Sequence, residues 1–338
     1  MIQRLLPSLL LASLLAAPGL ASAQTLKLGT VVPEGSPWHQ AILEIDAAWR
    51  RISNGRVQLR VYPGGVAGDE ADMLRKIRIG QLHAAALTSA GLVSIVPDIE
   101  ALSFPLAIRT DAELDRVIEK VSPVWERQLE ERGFKVLTWS NAGWVHFFAR
   151  EPVASADDLR RQRLFFWGSD TQYLDLLKQL GYNPVPLAVT DLLPSLQTGL
   201  VNAFAAPPSA ALAFQWFGLA KNMTDLPWAP LPSVTVISMR QWNRLPADLR
   251  PELEEAAREV GRSLRERTRR LDQEAVAAMQ EYGLEVVPVS DKATAEWRAI
   301  VEEHGVPAFV GRRFSREIFD QVQSVLQEFR DGTDDETL

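Results

Sequence analysis

The stretch DDLRRQRLFFWGSDTQYLDLLKQLGYNPVPLAVTDLLPSLQTGLVNAFAAPP, Asp157 to Pro208, decides the fold. Arg163–Trp167 (RLFFW) is a short run of β-formers ending at Gly168. Ser169 is a good N-cap for a helix, with Asp170 in the first turn, where the helix dipole favours an anion. Leu174, Leu177 and Leu180 keep helical spacing, and Gly181 suits the C-terminal cap. Asn183–Leu187 (NPVPL) is extended, and Thr190–Gly199 predicts a second capped helix with Pro194 near its start. Val201–Ala205 is a further strand, stopped by Pro207 and Pro208. Strand, helix, strand, helix, strand in about fifty residues predicts parallel α/β layering. Ligands of such sheets sit beyond the carboxyl ends of the strands. The chain just after Phe166 and just after Ala205 is therefore where function is sought, and it carries aromatic and small apolar residues.

Outward from this stretch the same layering continues. Leu26–Val32 reads as a buried first strand. A helix follows, capped by Ser36 with Pro37 at its first position. Trp38, Ile42, Ile45, Trp49 and Ile52 share one face of it. Val57, Leu59 and Val61 alternate as a half-buried strand. Tyr62–Glu70 is a Gly-rich loop entering a helix, without the pattern of a phosphate loop. His83–Thr88 predicts a strand, Asp111–Arg132 an amphipathic helix and Phe134–Trp139 a strand. Trp144–Arg150 is read as a strand crossing to a second domain. Ser209–Ala220 is read as helical, with Phe214, Trp216 and Phe217 near its end. Met223–Pro232 is read as a Pro-rich loop, and Val234–Met239 as the strand that returns to the first domain. Pro246–Tyr282 is helical throughout; the run Ala247–Tyr282 would be roughly 54 Å long at about 1.5 Å per residue, more than one small domain. Leu284–Val289 is a last strand, and helices fill 290–329.

Composition bounds the function. The 338 residues are 46% hydrophobic and 23% charged, ordinary for a globular chain. A net charge of −7 without a basic block argues against nucleic-acid binding. There is no cysteine, so disulfides and thiol catalysis are excluded. His39, His83, His146 and His304 are scattered and predict no metal site. No GxSxG elbow or strand-following GxGxxG occurs, so neither an esterase nor a dinucleotide cofactor is expected. Residues 1–23 read as a secretory signal: Arg4, the apolar run Leu5–Leu15, and Ala21-Ser-Ala23 as the cleavage site. The alternative, a membrane anchor, meets an apolar run that is short for a span.

Several motifs in one order resemble the periplasmic solute-binding proteins of TRAP transporters, the DctP-like family. They are Asp158-Leu159 before a strand, Gly181 with Pro184–Leu187, and Asp191 followed by Leu196–Asn202 (LQTGLVN) and Pro207. The family pattern is DLKGxKxR, LGAxPVPL and EVYxALQTGVVDGQENP. The likeness covers nearly the whole mature chain. It implies a two-lobed periplasmic binding fold of the α/β class, each lobe a mixed sheet flanked by helices, with a long helix across both. The expected boundaries are 1–23 signal, 24–142 with 233–264 as the first domain, 143–232 with 265–330 as the second, and 331–338 as a tail. The implied partners are a small-molecule ligand and the TRAP membrane permease subunits. Some family members without the ligand arginine also pair with a periplasmic TPR-repeat protein.

The departures fall on the ligand site. Counted without a gap from Asp158, the family's ligand-binding arginine falls on Phe165 and its asparagine on Ala206. A second family arginine falls on Val145. Strand alternation places Arg163, Phe165 and Trp167 on one face. Two readings follow. In one, Phe165, Trp167, Val145 and Ala206 form an apolar wall suited to a hydrophobic or aromatic ligand. In the other, a two-residue slip lets Arg163 clamp a carboxylate. Val145 and Ala206 differ from the family as well, which agrees with the first. The further candidates are Trp38 for stacking, Thr88 and Ser89 for a ligand hydroxyl or carbonyl, and Phe204 and Trp216. Against these stand blander roles: the aromatic rings as core, and the hydroxyls in local turns. A secreted enzyme with an interdomain active site is the reading from another class, and it needs a convergent polar constellation in the cleft.

Overall fold

The computed structural model describes residues 23–167 and 171–332. The expected secretory signal up to residue 22, the expected Ser169 cap with Asp170, and most of the tail lie outside them. Among the described residues the strands are β1 (Gln24–Thr30), β2 (Val57–Tyr62), β3 (Ala84–Thr88), β4 (Phe134–Ala149) and β5 (Arg163–Trp167). They continue with β6 (Asn183–Leu187), β7 (Ala203–Ala206), β8 (Asn222–Asp225), β9 (Ala229–Ser238) and β10 (Glu285–Pro288). Their order is β2-β1-β3-β9-β4-β7-β5-β6, with β8 beside β4 and β10 beside β8.

Two mixed sheets result, because β4 serves both. Its first part pairs with β9 from Phe134 to Val145, completing a sheet in which β1 runs parallel to β2 and β3. Its last part, His146 to Ala149, pairs with β7, beside which β5 and β6 run parallel. The join is irregular: the β4–β9 register shifts between Asn141 and Trp144. Gly143 sits in that bulge at φ 125°, where a Cβ would lie 2.7 Å from the Pro207 Cβ. Only a residue without a side chain lets the strands cross there.

The helix Pro37–Ile52 forms as its sequence dictates. The Ser36 hydroxyl accepts from His39 N at 3.3 Å, and Trp38, Ile42, Ile45 and Trp49 are buried. Trp49 donates to the Leu253 carbonyl at 2.8 Å, tying this helix to the long helix Arg250–Glu281. One core cluster, including Leu26, Leu28, Trp49 and Leu253, fills this side of the first lobe. A larger one runs on through Phe148, Phe204 and Trp297 into the second.

The long helix is laid along the crossing. Arg265 donates to the Trp139 carbonyl at 2.6 Å and Thr268 to that of Asn141 at 3.0 Å. Asp272 accepts from Trp144 N at 3.2 Å and from Ser209 N at 3.1 Å, and also from the Ser209 hydroxyl. Residues 265, 268 and 272 lie on one helical face, so a single stripe follows β4 from one lobe to the other. The terminal helix Arg316–Arg330 returns to the first lobe. It packs on Asp111–Glu131, where Arg330 pairs with Glu113 at 2.8 Å.

Several elements differ from expectation. Phe134–Trp139 and Trp144–Arg150 are one strand, bulged rather than broken. Met223–Pro232 is not a loop: it holds β8 and the start of β9. Pro230 and Pro232 pair opposite Trp144 and Asn141, at the bulge, where the ladder is interrupted and a missing N–H costs little. The helix expected over Ser209–Ala220 ends at Ala213, and Gln215 turns the chain at φ 60°. The long helix starts at Arg250 and has 32 residues. Among the described residues no helix is long and apolar enough to cross a membrane.

Candidate functional site

Between the lobes lies a cleft with about 1010 Å³ of atom-free space, part of it open to solvent. The first lobe contributes Thr30 at the end of β1, Trp38 and Ile42 from the capped helix, Glu70, and Thr88 at the end of β3. The second contributes Phe165 and Trp167 from β5, Ala206 from β7, and then Phe214 and Trp216. The floor is the crossing itself, with Thr138, Ser140, Ser233 and, from the long helix, Gly261 and Leu264. The ends of β1, β3, β5 and β7 thus converge on one hollow, as parallel α/β layering requires.

Its polar atoms are largely occupied with one another. The Ser140 and Ser233 hydroxyls are 2.7 Å apart, and the Thr138 hydroxyl donates to the Trp139 carbonyl at 3.2 Å. Thr88 donates its N–H to one Glu70 carboxyl oxygen at 2.7 Å and its hydroxyl to the other at 2.9 Å. Glu70 is 3% exposed. Burial pushes its carboxyl up to about 8, outweighing the hydrogen bonds from Thr88 and Gly91 that pull it down. The rest of the wall is apolar apart from Thr30, Thr235 and the indole N–H of Trp38, which is buried without a hydrogen-bond partner. The Phe214 and Trp216 rings stack at 4.4 Å, and Trp216 stands edge-on to Phe204 at 5.5 Å.

The lobes also touch across the mouth. Trp167 donates its indole N–H to Asp69 at 3.1 Å. Asp69 caps the helix Glu70–Arg78 with its other carboxyl oxygen, 2.9 Å from Glu70 N. This bond joins β5 of one lobe to a helix of the other. Trp167→Phe keeps the ring and removes the bond. We expect it to weaken closure by about 0.5–1.5 kcal/mol, the worth of one such bond. The larger radius of gyration of the variant in small-angle X-ray scattering reads this out; an unchanged radius would show that the bond does not hold the lobes.

Residues 28–305 match the family described as bacterial extracellular solute-binding protein, family 7 (DctP). The chain belongs to the DctP family. Among DctP-family relatives, it is 25% identical over 292 residues to the C4-dicarboxylate-binding periplasmic protein DctP of Rhodobacter capsulatus, covering 86% of each chain. It is 23% identical over 277 residues to the sialic acid-binding periplasmic protein SiaP of Vibrio cholerae, covering 81% of this chain and 86% of that one. Its fold is similar to that of the sugar acid binding protein of Advenella mimigardefordensis in complex with galactonate. There the TM-score is 0.85 and the identity 18%, over 91% of this chain and 99% of that one. The succinate-bound TRAP periplasmic solute binding protein of Sulfurospirillum deleyianum gives a TM-score of 0.82 at 21% identity, over 90% and 99%. The chain is a TRAP-type periplasmic solute-binding protein, of a family whose members bind small molecules for transport and work with TRAP membrane permease subunits.

Of the candidates drawn from the sequence, Trp38, Thr88, Phe165, Trp167, Ala206 and Trp216 border the cleft. Four lie elsewhere. Arg163 is at the opposite end of β5 from the cleft, where its guanidinium donates to the Gly199 carbonyl at 3.1 and 2.9 Å. Alternation alone does not give a residue's distance along the strand from the cleft. Val145 follows the β4 bulge, which resets facing, and its carbonyl accepts from Trp228 N at 2.8 Å. Phe204 is fully buried behind Trp216, stacked on Phe148 at 5.0 Å. Ser89 is buried with its hydroxyl 3.3 Å from that of Ser103. Glu70, Asp69 and Phe214 escaped the sequence reading. The available signal was an acidic pair at a helix start, which reads equally well as capping.

Proposed function

We propose that this protein binds a small hydrophobic or aromatic organic molecule between its lobes and delivers it to the membrane permease of a TRAP-type transporter. The observation that carries this reading is the wall itself. No lysine, arginine or histidine borders the cleft among the described residues, and a phenylalanine stands where the family's clamp arginine is expected. A carboxylate enclosed there would lack its partner; an unpaired buried charge costs about 3–5 kcal/mol. Apolar surface would instead gain roughly 25 cal/mol per Å² hidden. Closure follows from contact with both walls at once, since only a difference in affinity between open and closed forms shifts their balance.

The reading keeps the lobes as 24–142 with 233–264 and 143–232 with 265–330, save that the terminal helix Arg316–Arg330 packs on the first lobe. Export would remove residues 1–23. Cargo passes through unaltered: family members are transport solute-binding proteins, and the cleft wall is dominated by apolar side chains. A TPR-repeat partner is not required. Native mass spectrometry of freshly purified protein tests the assignment. The expected result is a co-purifying low-mass organic molecule without a carboxylate. The relatives named above bind organic acids, so a bound dicarboxylate or sugar acid is the outcome that overturns the reading.

A further inference from the structure

The cavity wall narrows the ligand class, a step that rests on the apolar cleft proposed above. Glu70 is the one ionisable side chain that borders the cavity among the described residues. No cationic side chain is among the groups that act on it. Yet its carboxyl is fixed rather than loose. Both oxygens are held by Thr88, and the residue opens the helix Glu70–Arg78, whose N-terminus favours an anion. The space it occupies depends on Gly91. A Cβ at position 91 would lie 3.1 Å from the Glu70 carboxyl carbon and nearer still to one oxygen.

Around the same hollow stand the rings of Trp38, Phe165, Trp167, Phe214 and Trp216. Faces of indole and phenyl rings attract cations, and the attraction grows when water is excluded. A preorganised carboxyl with no counter-charge, in a cage of aromatic rings, has the chemistry of a receptor for organic cations. A carboxylate guest would meet a like charge above pH 8 and, below it, a single carboxyl proton with no cation beside it. A neutral guest would leave the carboxyl as it is, protonated by burial. A cation supplies the missing partner and draws the carboxyl into its ionised form, with the proton released to water.

We propose that the cleft takes a small organic cation, an aromatic or alkyl ammonium, whose charge lies against Glu70 while its apolar groups lie on the ring faces.

Titration calorimetry of the purified protein tests this with three probes: benzyltrimethylammonium, benzyl alcohol and phenylacetate. The quaternary cation keeps its charge at every pH. It should bind at least about tenfold more tightly than the alcohol at pH 9. Its affinity should rise about tenfold from pH 7 to pH 9, as a carboxyl with a pKa of about 8 ionises. The alcohol should show no such rise. Glu70→Gln should remove the pH dependence and the cation preference. If that variant fails to fold, the wild-type pH profiles still decide. An alcohol that binds as well as the cation, with flat profiles, overturns the cation class and leaves the apolar cleft standing. Tightest binding of phenylacetate overturns both. Failure of benzyltrimethylammonium to bind also overturns the proposal.

Discussion

Gly261→Ala is expected to lower the stability of the protein by about 3 kcal/mol, although alanine is the better helix former. Gly261 lies inside the long helix Arg250–Glu281, on the face that meets β4. On propensity alone the substitution would gain about 1 kcal/mol. Sterics decide the sign. A Cβ there would lie 2.8 Å from the Trp139 carbonyl oxygen, 3.0 Å from the Thr138 Cβ and closer still to the Thr138 hydroxyl. The first of these cannot swing away. Trp139 is paired with Val234 in the sheet, and its carbonyl accepts from Arg265. The helix must therefore back off, and overpacking of this kind costs about 1–3 kcal/mol. Backing off also stretches the bonds from Arg265 and Thr268 to β4, each worth about 1 kcal/mol. A drop in the urea midpoint reads this out, with Glu259→Ala on the exposed face of the same helix as control. A midpoint equal to or above wild type would mean that helix and strand are not in contact at this point. Because Gly261 also borders the cleft, ligand affinity should fall with it.

The same position shows where sequence reading stops. The long helix was legible from its proline-free run after Pro251 with one glycine. Its start was not, because Pro251 belongs in the first turn and the helix begins at Arg250 rather than near Pro246. That the glycine marks a crossing was not, because the partner strand lies more than a hundred residues away. The central β5–β7 layering was readable for a local reason: each strand and helix there carries its own caps and breakers. Its start at Ala203 rather than Val201 was set by Asn202, whose carboxamide accepts from Arg163 N at 2.7 Å. The cleft was half legible. Phe165 and Trp167 follow from alternation, and Trp38 from helical spacing. Val145 was lost to a bulge, a feature with no reliable sequence mark. Glu70 was hidden by ambiguity, since an acid at a helix start needs no further explanation until its burial is seen.

That burial predicts a pH dependence of the unliganded protein. The carboxyl of Glu70 has a folded-state pKa of about 8 against 4.5 when solvated. Below 4.5 it is neutral in both the folded and unfolded chains, and its contribution to stability is intact. From 4.5 to 8 the unfolded chain releases the proton and the folded one keeps it, so stability falls as pH rises. Above 8 both are ionised and the loss is complete. At 1.36 kcal/mol per pKa unit this amounts to a few kcal/mol.

Glu70→Gln removes the titration, and its amide can still accept from Thr88 N and meet the Thr88 hydroxyl. The variant should therefore match wild type near pH 4.5, then exceed it by a margin that grows to pH 8 and stays constant beyond. Asp272, pushed up to about 6 from 3.8 by burial at the lobe crossing, gives the same sign in a lower window. Asp272→Asn should part from wild type between about 3.8 and 6, which separates the two groups in one experiment. Urea unfolding at pH 4.5, 6, 7 and 9 measures all three proteins. A Glu70→Gln margin that does not change with pH would mean that the carboxyl is solvated. A margin that shrinks as pH rises would mean that the folded chain already supplies Glu70 with a positive partner, and the cleft would then have no unpaired charge to offer a guest.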